Sequence, residues 1–339
     1  MTFRFRSTAV LAALAVVALP ACAQFDYTVY GVADLSYGRF EPSGQIREHR
    51  FNSNSLTATF GGLGASYGFE NGWTAGMTLE SFFRFQDMKL GRNDNDPTVS
   101  RNAFVSLSNR DVGTFRAGRL QTLLFNTTTR FNALGNSVGF SPAVRHVFAA
   151  GNLLGVQGDF YWNQAVGYTT PSLEGIAGNV IAARGESARP GTLVGGSVVL
   201  SRGVLAGTVS AQKVSIDDGI NDPVKETAVQ LGVNYNFGWA NLFGLYTRTQ
   251  DTGLDVDSDL FSAGAAVPLG PGTVVAQLAS SKADGPAVNR KQTTFSAGYI
   301  YAFDSQTDLY VIAMDDRVRG QTRGVSAAFG VRYRFGQAR

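Results

Sequence analysis

The sequence predicts an all-β chain closed into a 16-stranded antiparallel transmembrane β-barrel. Three observations carry that reading: a period of two in hydrophobicity over ten or more residues, a strict succession of short turns and longer polar segments, and aromatic residues gathered at the short-turn ends. Composition agrees, with 44% hydrophobic residues and only 16% charged among 339, below the roughly 25% charge of soluble domains. A single cysteine excludes an intramolecular disulfide, and two histidines, His49 and His146, leave little for a His-rich metal centre. The formal charge of +3 is too small for a nucleic-acid binder. Aromatic and β-branched residues recur throughout, which excludes intrinsic disorder.

Residues 1–23 have the form of a secretory signal. Arg4 and Arg6 make a positive start, Ala9 to Leu19 is unbroken apolar, and Ala21-Cys22-Ala23 supplies a small-x-small cleavage site. The stretch is too short to span a bilayer as a helix, and nothing after it stays apolar for about 18 residues. One barrel domain is therefore expected over 24–339. Leu19-Pro20-Ala21-Cys22 offers a competing reading as a lipobox with Cys22 lipidated, against which the proline counts.

The strands follow in order. Trp73, Ala75, Met77 and Leu79, then Phe83 and Phe85, alternate with Thr74, Gly76, Thr78, Glu80, Arg84 and Gln86. Val229, Leu231, Val233, Tyr235 and Phe237 alternate with Gln230, Gly232, Asn234 and Asn236, and the same pattern closes the chain from Val325 to Phe335. Short turns fall at Glu70-Asn71-Gly72, 109–113, 171–175, Ser201-Arg202-Gly203, 237–240, 269–272 and 303–306. Longer polar segments lie near 38–55, 88–100, 121–160, 185–191, 215–227, 251–259, 282–291 and 314–323. Short periplasmic turns and eight longer loops give sixteen strands, with both termini on one side. Tyr27, Trp73, Phe115, Trp239, Phe303 and Phe335 sit at the short-turn ends, as an interfacial girdle requires.

A soluble sandwich also alternates, but strand length, aromatic placement and the turn–loop asymmetry argue against it. In lipid only a helix or a closed barrel satisfies every backbone group. The Leu/Val/Phe/Ala set then faces lipid and the Gln/Asn/Thr/Ser/Arg set faces inward. A barrel this wide is not filled by side chains, so a polar interior implies a water-filled pore.

The third loop, about 120–160, is the longest and unusually apolar, with Leu123, Leu124, Phe125, Phe131, Leu134, Phe140, Val144, Val147 and Phe148 among others. Folding inward against the wall, and so narrowing the lumen, would explain that content. An extracellular cap or a subunit contact is the alternative.

Gly113-Thr114-Phe115-Arg116-Ala117-Gly118-Arg119, followed by Phe131-Asn132-Ala133-Leu134-Gly135, resembles the fifth strand and constriction loop of general diffusion porins of Gram-negative outer membranes. The β-proteobacterial trimeric branch looks closest. Tyr30-Gly31-Val32-Ala33-Asp34 is similar to that family's first strand, and Leu63-Gly64-Ala65-Ser66-Tyr67-Gly68 to its second. Arg101 to Leu107 resembles the fourth, and Tyr168-Thr169-Thr170-Pro171 the sixth. The resemblance implies a homotrimer and passive diffusion of small hydrophilic solutes. Three departures stand out: Gly62 where members often carry arginine, no acid after the proline in Ser141-Pro142-Ala143, and Gly336-Gln337-Ala338-Arg339 after the aromatic Phe335.

Alternation nominates the charges facing water. Arg84, Arg116, Arg248, Arg332 and Arg334 fall on polar faces, and Arg119 joins them if its strand bulges, as the family match favours. Arg332 and Arg334 lie nearest the short-turn edge, where pairing with a rim acid is the competing fate. Arg130 and Arg145 belong to the constriction loop, while Asp34 and Glu80 are the inward acids. With no acid between Asn126 and Gly158, the constriction is expected to be net basic, and arginine keeps its charge at every accessible pH. Weak to moderate anion preference follows from fixed charge in a narrow passage.

Other motifs fall away. Gly64-Ala65-Ser66-Tyr67-Gly68 spells a nucleophile elbow but sits inside an alternating strand without a following helix. Asp255, Asp257 and Asp259 start like a calcium loop yet lack the later Gly and Glu. No enzyme, cofactor or metal site is expected. The expected partners are outer-membrane lipid and lipopolysaccharide, small hydrophilic solutes and anions. The alternatives are a substrate-selective channel with an aromatic track through Phe125, Phe131, Phe140 and Phe148, a plugged adhesion barrel, and an outer-membrane enzyme.

Overall fold

In the computed structural model, which describes residues 25–149, 155–185, 191–217, 219–220 and 223–336, the alternating segments pair with their sequence neighbours all the way round. The signal segment, Cys22 and the last three residues lie outside the described residues. The strands are β1 (Phe25–Phe40), β2 (Glu48–Asn52), β3 (Phe60–Gly68), β4 (Trp73–Arg84), β5 (Lys89–Leu90), β6 (Ala103–Asn109), β7 (Gly113–Gln121), β8 (Tyr161–Thr169) and β9 (Ile176–Arg184). They continue with β10 (Thr192–Arg202), β11 (Leu205–Ile216), β12 (Val224–Asn236), β13 (Asn241–Asp251), β14 (Val256–Leu269), β15 (Gly272–Gly285), β16 (Val288–Ala302), β17 (Thr307–Val318) and β18 (Gly324–Phe335).

All pairings are antiparallel, and β18 closes the ring on β1 in a register running from Gly31↔Phe335 to Arg39↔Ala327. β2 and β3 share one edge of β1, and β5 is only a two-residue addition to β4, so the barrel has sixteen staves. No helix of the described residues is long and apolar enough to cross a membrane; the strands do the crossing.

The faces are as the alternation predicts over most of the wall. Val229, Leu231, Val233 and Tyr235 are exposed on the outside of β12, and Gln230 between them is fully buried inside. Tyr27, Phe115, Trp239 and Phe303 are exposed at the short-turn end, forming the expected belt.

Two expectations about connections need correcting. The segments 251–259 and 282–291 are mostly strand: β13 runs to Asp251 and β14 resumes at Val256, while β15 reaches Gly285 and β16 starts at Val288. Their polar composition marks strand standing in water, with Lys282 and Lys291 as cross-strand neighbours, rather than irregular backbone.

The second correction concerns 53–59, where the loop expected near 38–55 should give way to the next strand. It is instead a buried excursion between β2 and β3, directed inward. Asp34 at the middle of β1 dictates the fold there. Its carboxylate accepts bonds from the Ser55 N–H (3.1 Å), the Thr57 N–H (3.2 Å) and the Tyr310 hydroxyl (2.9 Å). Those donors would be stranded without it.

Candidate functional site

The barrel's interior is organised by the third loop, L3, and the loop does fold inward. Thr122 caps its first helix, α1 (Leu123–Arg130), accepting from the Phe125 N–H at 3.3 Å. Helical spacing buries Leu124, Phe125, Thr127 and Thr128 and leaves Asn126 and Arg130 exposed one turn apart. The buried face is bonded to the wall. Thr127 meets Ser210 at 2.6 Å, and Gln230 Nε2 donates to Thr128 Oγ1 at 2.8 Å.

Past α1, Phe131 lies against β12 at Gly232, where a Cβ would stand 2.6 Å from the ring. Only glycine admits that approach. Leu134 and Phe140 then pack with Leu56 of the excursion and with Phe40, Tyr310, Ile312 and Met314 of the wall. Each such burial is worth about 1.5–3 kcal/mol. Ser137 Oγ donates to the Ser55 carbonyl, so the excursion holds the loop's tip. Ser141 caps the short α2 (Pro142–Val144), and the π-turn Arg145–Ala149 places His146 Nε2 2.7 Å from Thr294 Oγ1. Burial pushes the His146 imidazole down to about 3.

L3 therefore covers the wall on the side of β11–β18 and leaves a passage along the opposite side. Three cavities mark it. One of 820 Å³ is lined by small polar residues of β1, β3, β4 and β6, including Thr28, Gly64, Ser66, Thr78 and Ser106. A second, of 360 Å³, lies between Arg116, Thr169 and Asn179 on the wall and Asn126 on α1. The third, of 340 Å³, shares Asn126 and Asn179 with it and reaches Arg130, Ser197 and Thr208.

The nominated charges divide by whether an acid has captured them. Arg116 donates to Thr169 Oγ1 (3.0 Å) and lies 6.0 Å from the Phe104 ring centre, and Arg130 donates to Ser201 Oγ (2.8 Å); neither has a carboxylate partner among the described residues. Arg84 is paired with Asp94 (2.5 Å) and Asp87 (3.2 Å), and Arg84 with Lys89 holds Asp94 below the usual carboxylate range. Arg332 and Arg334 both clasp the buried Asp308, and Arg332 also donates to Thr57 Oγ1 at 2.9 Å. Arg145 stands 3.8 Å from Asp316.

The bulge expected at Arg119 is present, with a register shift between Gly118 and Leu120 and φ of +140° at Gly118. It does not deliver a free side chain. Arg119 is buried, donating to the Ser100 carbonyl (3.0 Å) and to Asn163 Oδ1 (2.6 Å), with Asp159 at 3.5 Å.

Three nominated residues do not line the passage. Arg248 faces outward, because β13 turns Leu245, Thr247 and Thr249 to the interior; its partners are Asp257 and Asp259 at 3.4 and 3.3 Å. The inward Leu245 packs under L3, which inverts the polarity rule locally. Asp34 points inward but has no exposed surface and belongs to the excursion. Glu80 is likewise inward yet enclosed, accepting from Tyr30 (2.7 Å), Arg101 and Asn102 (2.7 Å). Sequence reasoning missed Arg101, which stands just before β6, and Asp308 and Asp316 on β17; each is visible as a partner only once the fold brings it beside its counterpart. It also missed Arg92, which links Asp96 and Asp159 across loops at 2.8 and 2.5 Å.

A sequence profile described as Gram-negative porin matches residues 8–321 of the chain. The protein belongs to that family. Outer membrane porin protein 32 of Delftia acidovorans is 28% identical over 315 residues, covering 88% of this chain and 87% of that protein. The solved anion-selective porin from Comamonas acidovorans superposes with a TM-score of 0.77 at 21% identity, over 92% of this porin and 100% of the other chain. OmpT of Vibrio cholerae, in a structure titled as its trimer form, gives 0.69 at 15% identity over 92% and 99%. This porin is thus an outer-membrane channel and not an enzyme.

Proposed function

We propose that this porin passes small hydrophilic solutes by diffusion with a weak to moderate preference for anions, as a homotrimer exported by the signal at residues 1–23. The observation that carries the ion preference is the pair Arg116 and Arg130, lining adjoining cavities beside α1 with no carboxylate partner among the described residues. Arg332 and Arg334 share one Asp308 and add a further unit of positive charge. Fixed positive charge in a passage walled by low-dielectric protein concentrates anions there.

The related Comamonas channel is titled anion-selective, and a solved relative is titled as a trimer; both support the reading for this chain. Outward Lys213 and Lys225 at the loop ends of β11 and β12, without an ion-pair partner among the described residues, suit phosphate groups of lipopolysaccharide. An aromatic track receives no support, since Phe125, Phe131 and Phe140 are buried in wall contacts.

The test is the zero-current potential in a planar bilayer under a KCl gradient. The wild type should give an anion-signed potential with large conductance steps. Replacing Arg116 and Arg130 together by glutamine should move the potential towards cations by at least half of its distance from the neutral value. An unmoved potential would sink the assignment of these two residues.

A further inference from the structure

At the loop end of β12 and β13, two carboxylates face each other inside the barrel. Glu226 and Asp251 are direct cross-strand partners, 3% and 5% exposed. Neither has an ion-pair partner among the described residues, and the basic neighbours Lys213 and Lys225 are exposed on the outer face. Like charges directly opposite on a sheet are destabilising, and burial makes them more so.

The arrangement around them supplies donors for one side only. Asp251 Oδ1 accepts three backbone N–H groups, from Lys225 (3.1 Å), Gly253 (2.8 Å) and Leu254 (3.1 Å), while its buried Oδ2 has no partner. Glu226 Oε1 accepts the Gln157 N–H at 3.0 Å. The Gln157 carbonyl is met at 3.5 Å by Gln212 Nε2, and the Oε1 of Gln212, a residue 3% exposed, is also buried without a partner. Gln212 stands diagonally across from Glu226, two residues off register on the same inner face.

We propose that Glu226, Asp251 and Gln212 form a divalent-cation site that takes calcium and staples the return leg of L3 at Gln157 to the barrel wall. The donor set is oxygen only: two carboxylates and an amide carbonyl, with water completing the shell. That is the chemistry of a hard cation, and calcium tolerates such irregular geometry better than magnesium does. Two charges on the metal cancel the two on the carboxylates. The site lies apart from the passage beside α1, so its test does not depend on ion preference.

Full-length trimer refolded without lipopolysaccharide and stripped with EDTA is titrated with CaCl₂ by calorimetry, and its thermal unfolding is followed with and without about 5 mM calcium, above the 10⁻⁴–10⁻³ M range of many extracellular sites. Calcium should bind once per subunit and raise the unfolding midpoint by at least about 3 °C. E226Q and D251N should each abolish the shift. Q212E, which adds a charge and keeps an oxygen ligand while giving up only the long 3.5 Å bond from Nε2 to the Gln157 carbonyl, should tighten calcium binding about tenfold and keeps the test open if the first variants fail to fold. No calcium shift in the wild type, or one that survives both E226Q and D251N, overturns the site. A midpoint that moves with pH but not with calcium also overturns it, and assigns the pair a shared proton.

Discussion

An arginine shapes the field of a channel only to the extent that no carboxylate lies within its reach. Polarity alternation nominates inward arginines, but it carries no information on register across strands, and register decides pairing. Arg332 was legible as inward; that Asp308 sits opposite it was not. Arg248 failed for a different reason. Where L3 covers the wall the inner face turns apolar, and above the lipid the outer face turns charged, so the polarity code runs backwards. Asp308→Asn should therefore free two guanidinium groups and move the zero-current potential further towards anions, with Arg332→Gln in the same background reversing part of the gain. A potential unchanged in Asp308→Asn would mean that the triad lies outside the conducting path. Asp34→Asn tests a structural acid instead. Replacing a fully bonded buried carboxylate should cost about 1–3 kcal/mol and raise open-channel current noise, because the excursion at 53–59 loses the group that its N–H donors converge on.

L3 is the element on which the channel depends, and half of its design is visible in composition. Apolar content at Leu124, Phe131 and Phe140 foretells burial, but the receiving surface is written elsewhere, in residues as inconspicuous as Gly232 and Gly264. Gly264 is the second such recess, with Ala133 3.0 Å from where its Cβ would be. Gly232→Val should displace Phe131, cost about 1–3 kcal/mol and change single-channel conductance while leaving the barrel folded. Equal conductance in a folded variant would show that the loop does not set the narrowing. The far end of L3 is held by His146, whose surroundings are Thr294, Asp316, Arg145 and Arg290. Its folded value of about 3 lies below the ordinary histidine value of 6.5. The unfolded or detached loop therefore takes up a proton that the docked loop refuses. Docking is fully favoured above pH 6.5 and loses ground as pH falls towards 3. Closures should become more frequent between pH 7 and pH 4 in the wild type, and His146→Gln should blunt that rise.

At the scale of the whole molecule the barrel was legible because its constraints are global. A period of two held over long strands, a turn–loop asymmetry and an aromatic belt leave closure as the only way to satisfy every backbone group in lipid. The excursion at 53–59 is not marked in the sequence, because Ser53, Ser55, Thr57 and Thr59 carry no sign of burial; it is fixed by tertiary contacts with Asp34 and Ser137. What the closed wall then creates is a field summed over dispersed charges, not a tight site. Arg116, Arg130 and the half-compensated Arg332/Arg334 pair lie on different strands or on L3, and each is left without full compensation by carboxylates. Such a field is screened by salt: the Debye length falls from about 10 Å at 0.1 M to about 3 Å at 1 M. The anion-to-cation permeability ratio should therefore decline steadily towards its free-solution value as KCl rises across that range, with conductance growing less than proportionally at the low end. A ratio that holds constant to 1 M would instead require direct coordination of the ion by one arginine cluster. The distributed arrangement of the lumen charges would then be irrelevant to selectivity.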